Sequence, residues 1–392
     1  MRRTFLLFFI THALFAWDTP LLRENKQNII DEQKKEIEAN AEKVKYEWLS
    51  PLNLFGSYSK SNTQSDAVLD TSISINQDLF RSGGILYKMQ YAQSKMYNSL
   101  ATLAQENTAL YETLFVGLLN LKRLHLLLEQ THYSFLNSEI EVFLKTQQYK
   151  AGDVDITELN RALREKNIVL KTELAAKQAI LTKEIELQKL TPIKLDTITI
   201  PHFELISQDD YESSSYNLLV ANLTTEQSDE AFKMTRSTYL PRLSFNGAYG
   251  YQDNPNTHVN GDYYQVGASL SMALDYNSYA TLQESKAAYL KNRLKIQDTK
   301  IDLQASYKAA LSKIENYKEY NRVTKENITL YSNLIKVIEQ ALVSGLKTGY
   351  DLKTLQNTKM VDELEIEINK INIQIELAQL LFATQKGENY YE

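Results

Sequence analysis

Apolar and polar residues alternate strictly in only four segments of the chain, and these fall into two pairs. In the first segment Leu52, Leu54, Gly56 and Tyr58 alternate with Asn53, Phe55, Ser57 and Ser59. In the second, Leu69, Thr71, Ile73, Ile75, Gln77 and Leu79 alternate with Asp70, Ser72, Ser74, Asn76 and Asp78. The third sets Leu243, Phe245, Gly247, Tyr249 and Tyr251 against Arg242, Ser244, Asn246, Ala248 and Gly250. The fourth sets Tyr264, Val266, Ala268, Leu270, Met272 and Leu274 against Gln265, Gly267, Ser269, Ser271 and Asp275. A period of two predicts strands with one apolar face and one face of small polar residues. About ten residues with such faces is also the pattern of a strand in an outer-membrane barrel, although hairpins packed on a soluble core would read the same way.

The chain between the hairpins has helical period. Leu100, Leu103, Leu110, Leu114, Leu118, Leu121 and Leu128 recur by threes, fours and sevens, as do Ile156, Leu159, Leu163, Leu170, Leu174 and Leu181. One stretch is ambiguous: Glu365-Ile366-Glu367-Ile368 alternates like a strand, but Leu364, Ile368, Ile371, Ile375, Ala378 and Phe382 form a heptad seam. We read it as helix, and the second stripe of Ile366 and Ile373 then predicts neighbours on both sides.

These elements repeat in the same order at an offset of about 190 residues. The first repeat covers 17–190, with strands near 51–60 and 67–79 and helices near 85–148 and 156–190. A linker covers 191–215. The second repeat covers 216–386, with a helix near 216–237, strands near 242–252 and 263–275, and helices near 279–343 and 349–384, before a tail at 387–392. A helix of roughly 64 residues extends about 95 Å, and the two shorter helices of each half sum to nearly that length. They are expected to stack end to end beside the long one.

Residues 1–16 combine Arg2 and Arg3 with a short apolar run ending at Ala16, the pattern of a secretory signal peptide. The only other dense apolar stretch, Leu114 to Leu128, is broken by Lys122, Arg123 and His125, so no transmembrane helix is expected. Composition narrows the function. The 12 Gly and 6 Pro are too few to punctuate a many-element enzyme, and a chain with 0 Cys has no disulfides, thiolate metal sites or cysteine nucleophiles. A net charge of −6 argues against a nucleic-acid partner. His125, Glu129 and His132 share a helix face without zinc-protease spacing, and no phosphate loop or nucleophile elbow is present. We expect no enzyme, no cofactor and no metal site. The 25 Tyr gather near strand ends, as at a membrane interface.

Four strands cannot close a barrel, and open edges are not tolerated in lipid, so the chain must oligomerise. Two copies give eight strands and three give twelve. An eight-stranded barrel is filled by its own side chains, and the small polar faces here suggest a lumen, which favours three.

Two motifs carry a family resemblance. Ile75-Asn76-Gln77-Asp78-Leu79-Phe80-Arg81-Ser82-Gly83-Gly84 leads from strand to helix. Each half also has a helix reversal, one around Ala151-Gly152-Asp153 and one around Ser344-Gly345-Leu346. With the repeated plan, these resemble the TolC family of outer-membrane efflux and secretion ducts over nearly the whole chain. The resemblance implies a mainly α fold with transmembrane β: a homotrimeric 12-stranded β-barrel in the outer membrane of a Gram-negative bacterium, continued by a 12-helix α-barrel through the periplasm. It implies a passive exit channel for small toxic molecules in a tripartite efflux pump, or a type I secretion duct. Its partners would be its own copies, a periplasmic adaptor docking at the two tips, an inner-membrane pump reached through the adaptor, and outer-membrane lipid. It also implies an acidic gate after the second tip, where Asp351 fits the first position, Thr354 stands at the second, and Lys347 is a candidate ionic partner. A helix-stabilising role for Asp351 is the competing reading. The second half departs from the family pattern at Asp275-Tyr276-Asn277, which lacks the paired glycines. On this topology the turns at Lys60 to Asp66 and Asp253 to Asp262 face outside. Tyr249, Tyr251, Tyr263 and Tyr264 are then expected in the outer aromatic girdle, and Trp48, Phe80, Tyr239 and Tyr276 in the inner one. With the chain ending soon after its last helix, any equatorial elaboration is expected to be small. The alternative from a different class is a secreted coiled-coil scaffold or adhesin with soluble hairpins.

Overall fold

The computed structural model describes residues 20–62, 66–255 and 257–390; the expected signal peptide lies outside them. The elements are α1 (Glu24–Tyr46), β1 (Asn53–Ser59), β2 (Val68–Phe80), α2 (Gly84–Ala151), α3 (Ile156–Gln188), α4 (Gln208–Ser214), α5 (Tyr216–Thr238), β3 (Arg242–Asn254), β4 (Val259–Ser271), α6 (Ser278–Val343) and α7 (Gly349–Phe382). Short 3-10 helices cover Leu195–Thr197 and Gln385–Tyr390. Among the described residues no helix is long and apolar enough to cross a membrane. The chain forms two compact units.

Of the described residues, one unit takes in 20–29, 105–215 and 301–390. Its long helices lie side by side in the order α3, α2, α7, α6. Lys166 of α3 pairs with Glu139 of α2 at 3.0 Å. Asn357 of α7 donates to Asn137 of α2 at 2.9 Å, and Gln130 of α2 donates to Glu365 of α7 at 2.8 Å. On its other flank α7 meets α6, where Asn369 donates to Asn321 and Lys313 pairs with Glu376. The strand-like isoleucine stretch is therefore helical, and Ile366, Ile368 and Ile371 are buried because α7 has a neighbour on each side.

The core of this unit is aromatic. Phe115 stacks on Phe382 with centroids 5.8 Å apart, and Phe203 stands edge-on to both. Phe203 belongs to the linker after α3 and is held at two points by Gln374 of α7, whose Oε1 accepts from the Phe203 N–H and whose Nε2 donates to the Phe203 carbonyl. Leu21 and Leu22 bury in the same cluster. Gly117 allows α3 to close on α2, since a Cβ there would come within 2.5 Å of Leu187.

The other unit spans 30–104 and 216–300. Its helices follow the order α1, α2, α5, α6, tied by Lys88–Glu47 and Lys95–Asn40 between α1 and α2, Asn98–Gln227 between α2 and α5, and Asn292–Ser228 between α5 and α6. Its sheet is antiparallel in the order β1-β2-β3-β4. The register puts Leu54, Ile73, Tyr249 and Tyr264 in one row on the apolar face. Neighbouring rows on the polar face hold Asn53, Ser74, Ala248 and Gln265, and Phe55, Ser72, Gly250 and Tyr263. The apolar face is open, with Leu54 87% and Tyr264 81% exposed.

Two expectations need correction here. The span Asp253 to Asp262, expected as a turn, is strand at both ends: Asp253 pairs with Asn260 and Asn254 with Val259. Cross-strand bonds extend the ladder, from the Tyr251 hydroxyl to Asn260 at 2.8 Å and from the Tyr249 hydroxyl to Asp262 at 3.0 Å. β4 accordingly starts and ends earlier than 263–275, and Met272 and Leu274 lie beyond it. Second, Tyr263 is on the polar face and cannot belong with Tyr249, Tyr251 and Tyr264, because adjacent residues of a strand point to opposite sides.

Candidate functional site

The two helix reversals are built alike. Gly152 (φ 82°) and Gly345 (φ 73°) each follow a long helix in the left-handed conformation that glycine adopts without strain. Asp153 N–H bonds back to the Gln148 carbonyl and Leu346 N–H to the Ala341 carbonyl, each at 2.9 Å, which closes both helices as Schellman motifs. Three residues past each glycine stands the N-cap of the returning helix. Asp155 accepts from the Thr157 N–H, and Thr348 accepts from the Asp351 N–H. Ala151, Gly152, Asp153, Ser344, Gly345 and Leu346 are all exposed, and a Cβ on either left-handed glycine would meet nothing within 4 Å. Apolar Val343 (91% exposed), Leu346 (79%) and Ile156 (51%) crown the same surface. Composition near the glycines did not single out Val343 and Ile156.

Asp351 is the return half of a capping box. Its Oδ2 accepts from the Thr348 N–H at 2.9 Å and from the Thr348 hydroxyl at 2.8 Å. These bonds hold the carboxyl below its ordinary range, and Lys347 adds a weaker charge effect. Among the described residues Lys347 makes no ion pair with Asp351, so the expected salt bridge is replaced by the Thr348 cap. Thr354 lies within α7, where its carbonyl accepts from the Thr358 hydroxyl. Behind this turn Phe143 of α2 meets Tyr350 with centroids 4.9 Å apart.

At the strand-to-helix junction each motif residue has a task. Gln77 accepts from the Ser50 N–H at 2.9 Å and donates to the Trp48 carbonyl at 3.1 Å, tying the start of β1 to β2. Asp78 accepts from Ser244 at 2.6 Å and pairs with Arg81. Ser82 and Gly83 take positive φ, with the Ser82 hydroxyl bonded to the Pro241 carbonyl. Gly84 opens α2 so close to α5 that a Cβ would stand 2.4 Å from the Ser237 hydroxyl. The second half reaches α6 differently: the Asp275 carboxylate accepts from the Asn277 N–H, and no glycine is required.

Of the proposed girdle residues, Tyr249, Tyr251 and Tyr264 share the apolar face. Phe80 is exposed at the opposite end of β2, Trp48 and Tyr239 are half-buried beside it, and Tyr276 is fully exposed after β4. His125 and His132 are exposed along α2, and among the described residues no group of side chains could hold a metal ion.

Residues 209–384 match the family model described as outer membrane efflux protein. The whole fold is similar to three solved channels. The outer membrane protein VceC of Vibrio cholerae has 14% identity, with 93% of this chain and 94% of that one covered at a TM-score of 0.71. The CmeC outer membrane channel of Campylobacter jejuni has 12% identity, with 93% and 84% covered at 0.72. The open MtrE outer membrane channel of Neisseria gonorrhoeae has 12% identity, with 92% and 86% covered at 0.67. At these identities the likeness is one of fold. Among curated proteins none matches the sequence.

Proposed function

We propose that the chain is an outer membrane efflux protein and the exit duct of a tripartite efflux pump, passing small toxic molecules across the periplasm and outer membrane, a reading supported by the family match over residues 209–384 and by the TolC-like channel fold. The family is one of passive channels, so the duct supplies a path and its partners supply the energy. Type I secretion ducts share the architecture. The carrying observation is that each unit ends in edges it cannot cover. The sheet leaves β1 and β4 unpaired on their outer sides, beneath an apolar face that water would penalise, and the helical layer ends in α3 and α6 with exposed apolar seams. Three copies close both: twelve strands with the apolar face in lipid, and a helical tube. A secreted scaffold with soluble hairpins would leave Leu54, Tyr264, Val266 and Leu270 in water. In mild detergent, protein from the outer-membrane fraction should have the mass of three chains and form channels in planar bilayers. A monomer without conductance would overturn the reading.

On this reading Tyr249, Tyr251 and Tyr264 sit at the outer membrane interface, and Trp48, Phe80, Tyr239 and Tyr276 at the inner one. The tips around Gly152 and Gly345 dock a periplasmic adaptor, through which the duct reaches an inner-membrane pump. Tryptophan at both Asp153 and Leu346, exposed residues beside the two left-handed glycines, should abolish efflux while the trimer still assembles. Retained efflux would remove docking from these tips.

Asp351 from three copies narrows the periplasmic entrance, with Lys347 and Thr354 beside it. Asp351→Ala should raise single-channel conductance and also cost about 1 kcal/mol of helix-start stability. The capping contribution of a carboxylate with a lowered pKa is present above its unfolded value and is lost as pH falls through the folded one. The conductance difference should therefore persist unchanged from about pH 7 to about pH 5. An unchanged conductance would confine Asp351 to the cap.

A further inference from the structure

The polar face of the sheet carries aromatic rings at only two described positions, Phe55 on β1 and Tyr263 on β4, and the register sets them in one row separated by Ser72 and Gly250. Tyr263 does not stand out from the wall. Its ring lies across β3 over Gly250, where a Cβ would come within 2.6 Å of both the ring and the Thr71 carbonyl. Its hydroxyl reaches Asp70 of β2, 3.4 Å from Oδ1. Glycine at 250 thus gives the ring a bed, and the aromatic face turns away from the sheet. Phe55 is 52% exposed and Tyr263 37%, so both rings retain open faces among hydroxyls and amides. Among the described residues no Lys or Arg pairs with Asp70, and its charge stands at the edge of the aromatic strip.

We propose that Phe55, Tyr263 and Asp70 form a subsite on the lumen wall for organic cations with a flat aromatic part. The inference rests on the duct reading, which turns the polar face inward. The chemistry that would recognise the solute is explicit: ring faces attract a delocalised cation through stacking and cation–π contact, and the carboxylate selects positive charge. A small polar wall alone would favour neither aromaticity nor charge. Each copy brings its own strip, and a solute moving outward meets weak, repeated holds that slow it without trapping it.

The test is block of single-channel current through the full-length trimer by ethidium, with tetraethylammonium as a non-aromatic cation of equal charge. Ethidium should block the wild type well below the tetraethylammonium concentration that does so. Tyr263→Ser, Phe55→Ser and Asp70→Asn should each weaken ethidium block by about tenfold, and Tyr263→Phe should retain most of it. Phe55→Ser removes an exposed ring and guards against loss of folding at Tyr263, and trimer mass is checked for every variant. Equal block by the two cations, or ethidium block unchanged in both serine variants, overturns the subsite and leaves the duct standing. No conductance in the wild type overturns the duct and the subsite with it.

Discussion

Leu174→Asp on α3 is expected to convert the proposed three-copy assembly into single chains. Leu163, Leu170, Leu174, Leu181 and Ile185 are spaced by sevens and fours along α3, and all are exposed although an adjoining face of the helix buries Ala162, Ala176 and Ile180. On α6 the exposed residues Val323, Leu330, Leu334 and Val337 follow the same kind of period. These helices are the two ends of one four-helix layer, so the seam of α3 in one copy has the seam of α6 in the next as its natural cover. Removing a buried Leu from such a seam costs about 2 kcal/mol, and a carboxylate in its place adds a desolvation cost of a few kcal/mol more. The change occurs in all three seams of a trimer. Light scattering in mild detergent should report the mass of one chain for Leu174→Asp and of three for Leu174→Ala. Three for both would move α3 off the contact between copies.

The same residues illustrate what could be read before the fold was known. The period of sevens and fours on α3 is visible in the sequence, but whether it faces a helix of its own chain or of another depends on which helices are neighbours. That order is set by distant polar pairs such as Asn137 with Asn357 and Asn321 with Asn369, which no local pattern announces. The isoleucine stretch of α7 is legible as helix because the heptad seam and the second stripe of Ile366 and Ile373 together place the isoleucines, whereas an alternating strand would change face between Ile368 and Ile371. Tyr263 was grouped with Tyr264 because aromatic density was counted along the chain. Strand parity separates the two, and the glycine opposite Tyr263 explains why a ring is accommodated on the polar side. The turn expected at Asp253 to Asp262 is the span between the two segments of strict alternation. Tyr249 and Tyr251 extend the ladder into it by bonding across to Asp262 and Asn260. Asp351 was legible as a charge near a helix start. Its capping role was one of two readings open, and the Thr348 bonds now account for it directly.

Phe115→Ala should have the largest effect on the stability of one chain. Phe115 is 1% exposed, lies nearly parallel to Phe382 at an interplanar angle of 8°, and receives the edge of Phe203. Truncation removes the stacked partner of one ring and the floor under another, and buried Phe→Ala changes cost about 3–5 kcal/mol. The damage should be directional. Phe203 enters the core from a linker that is also held by the two Gln374 bonds and by the Tyr307 hydroxyl on the Ile206 carbonyl, so losing Phe115 leaves the segment to its polar ties. Irreversible unfolding, common for large assemblies, makes the rate of limited proteolysis the sensitive measurement. Cleavage should concentrate within 191–215 in Phe115→Ala and, more weakly, in Gln374→Ala, which removes the two bonds from Gln374 to the Phe203 backbone. If ring and amide act independently, their fold-increases in cleavage rate should multiply in the double variant. An increase well below that product would identify them as one clamp, and cleavage spread evenly along the chain would show that the linker is not secured through this core.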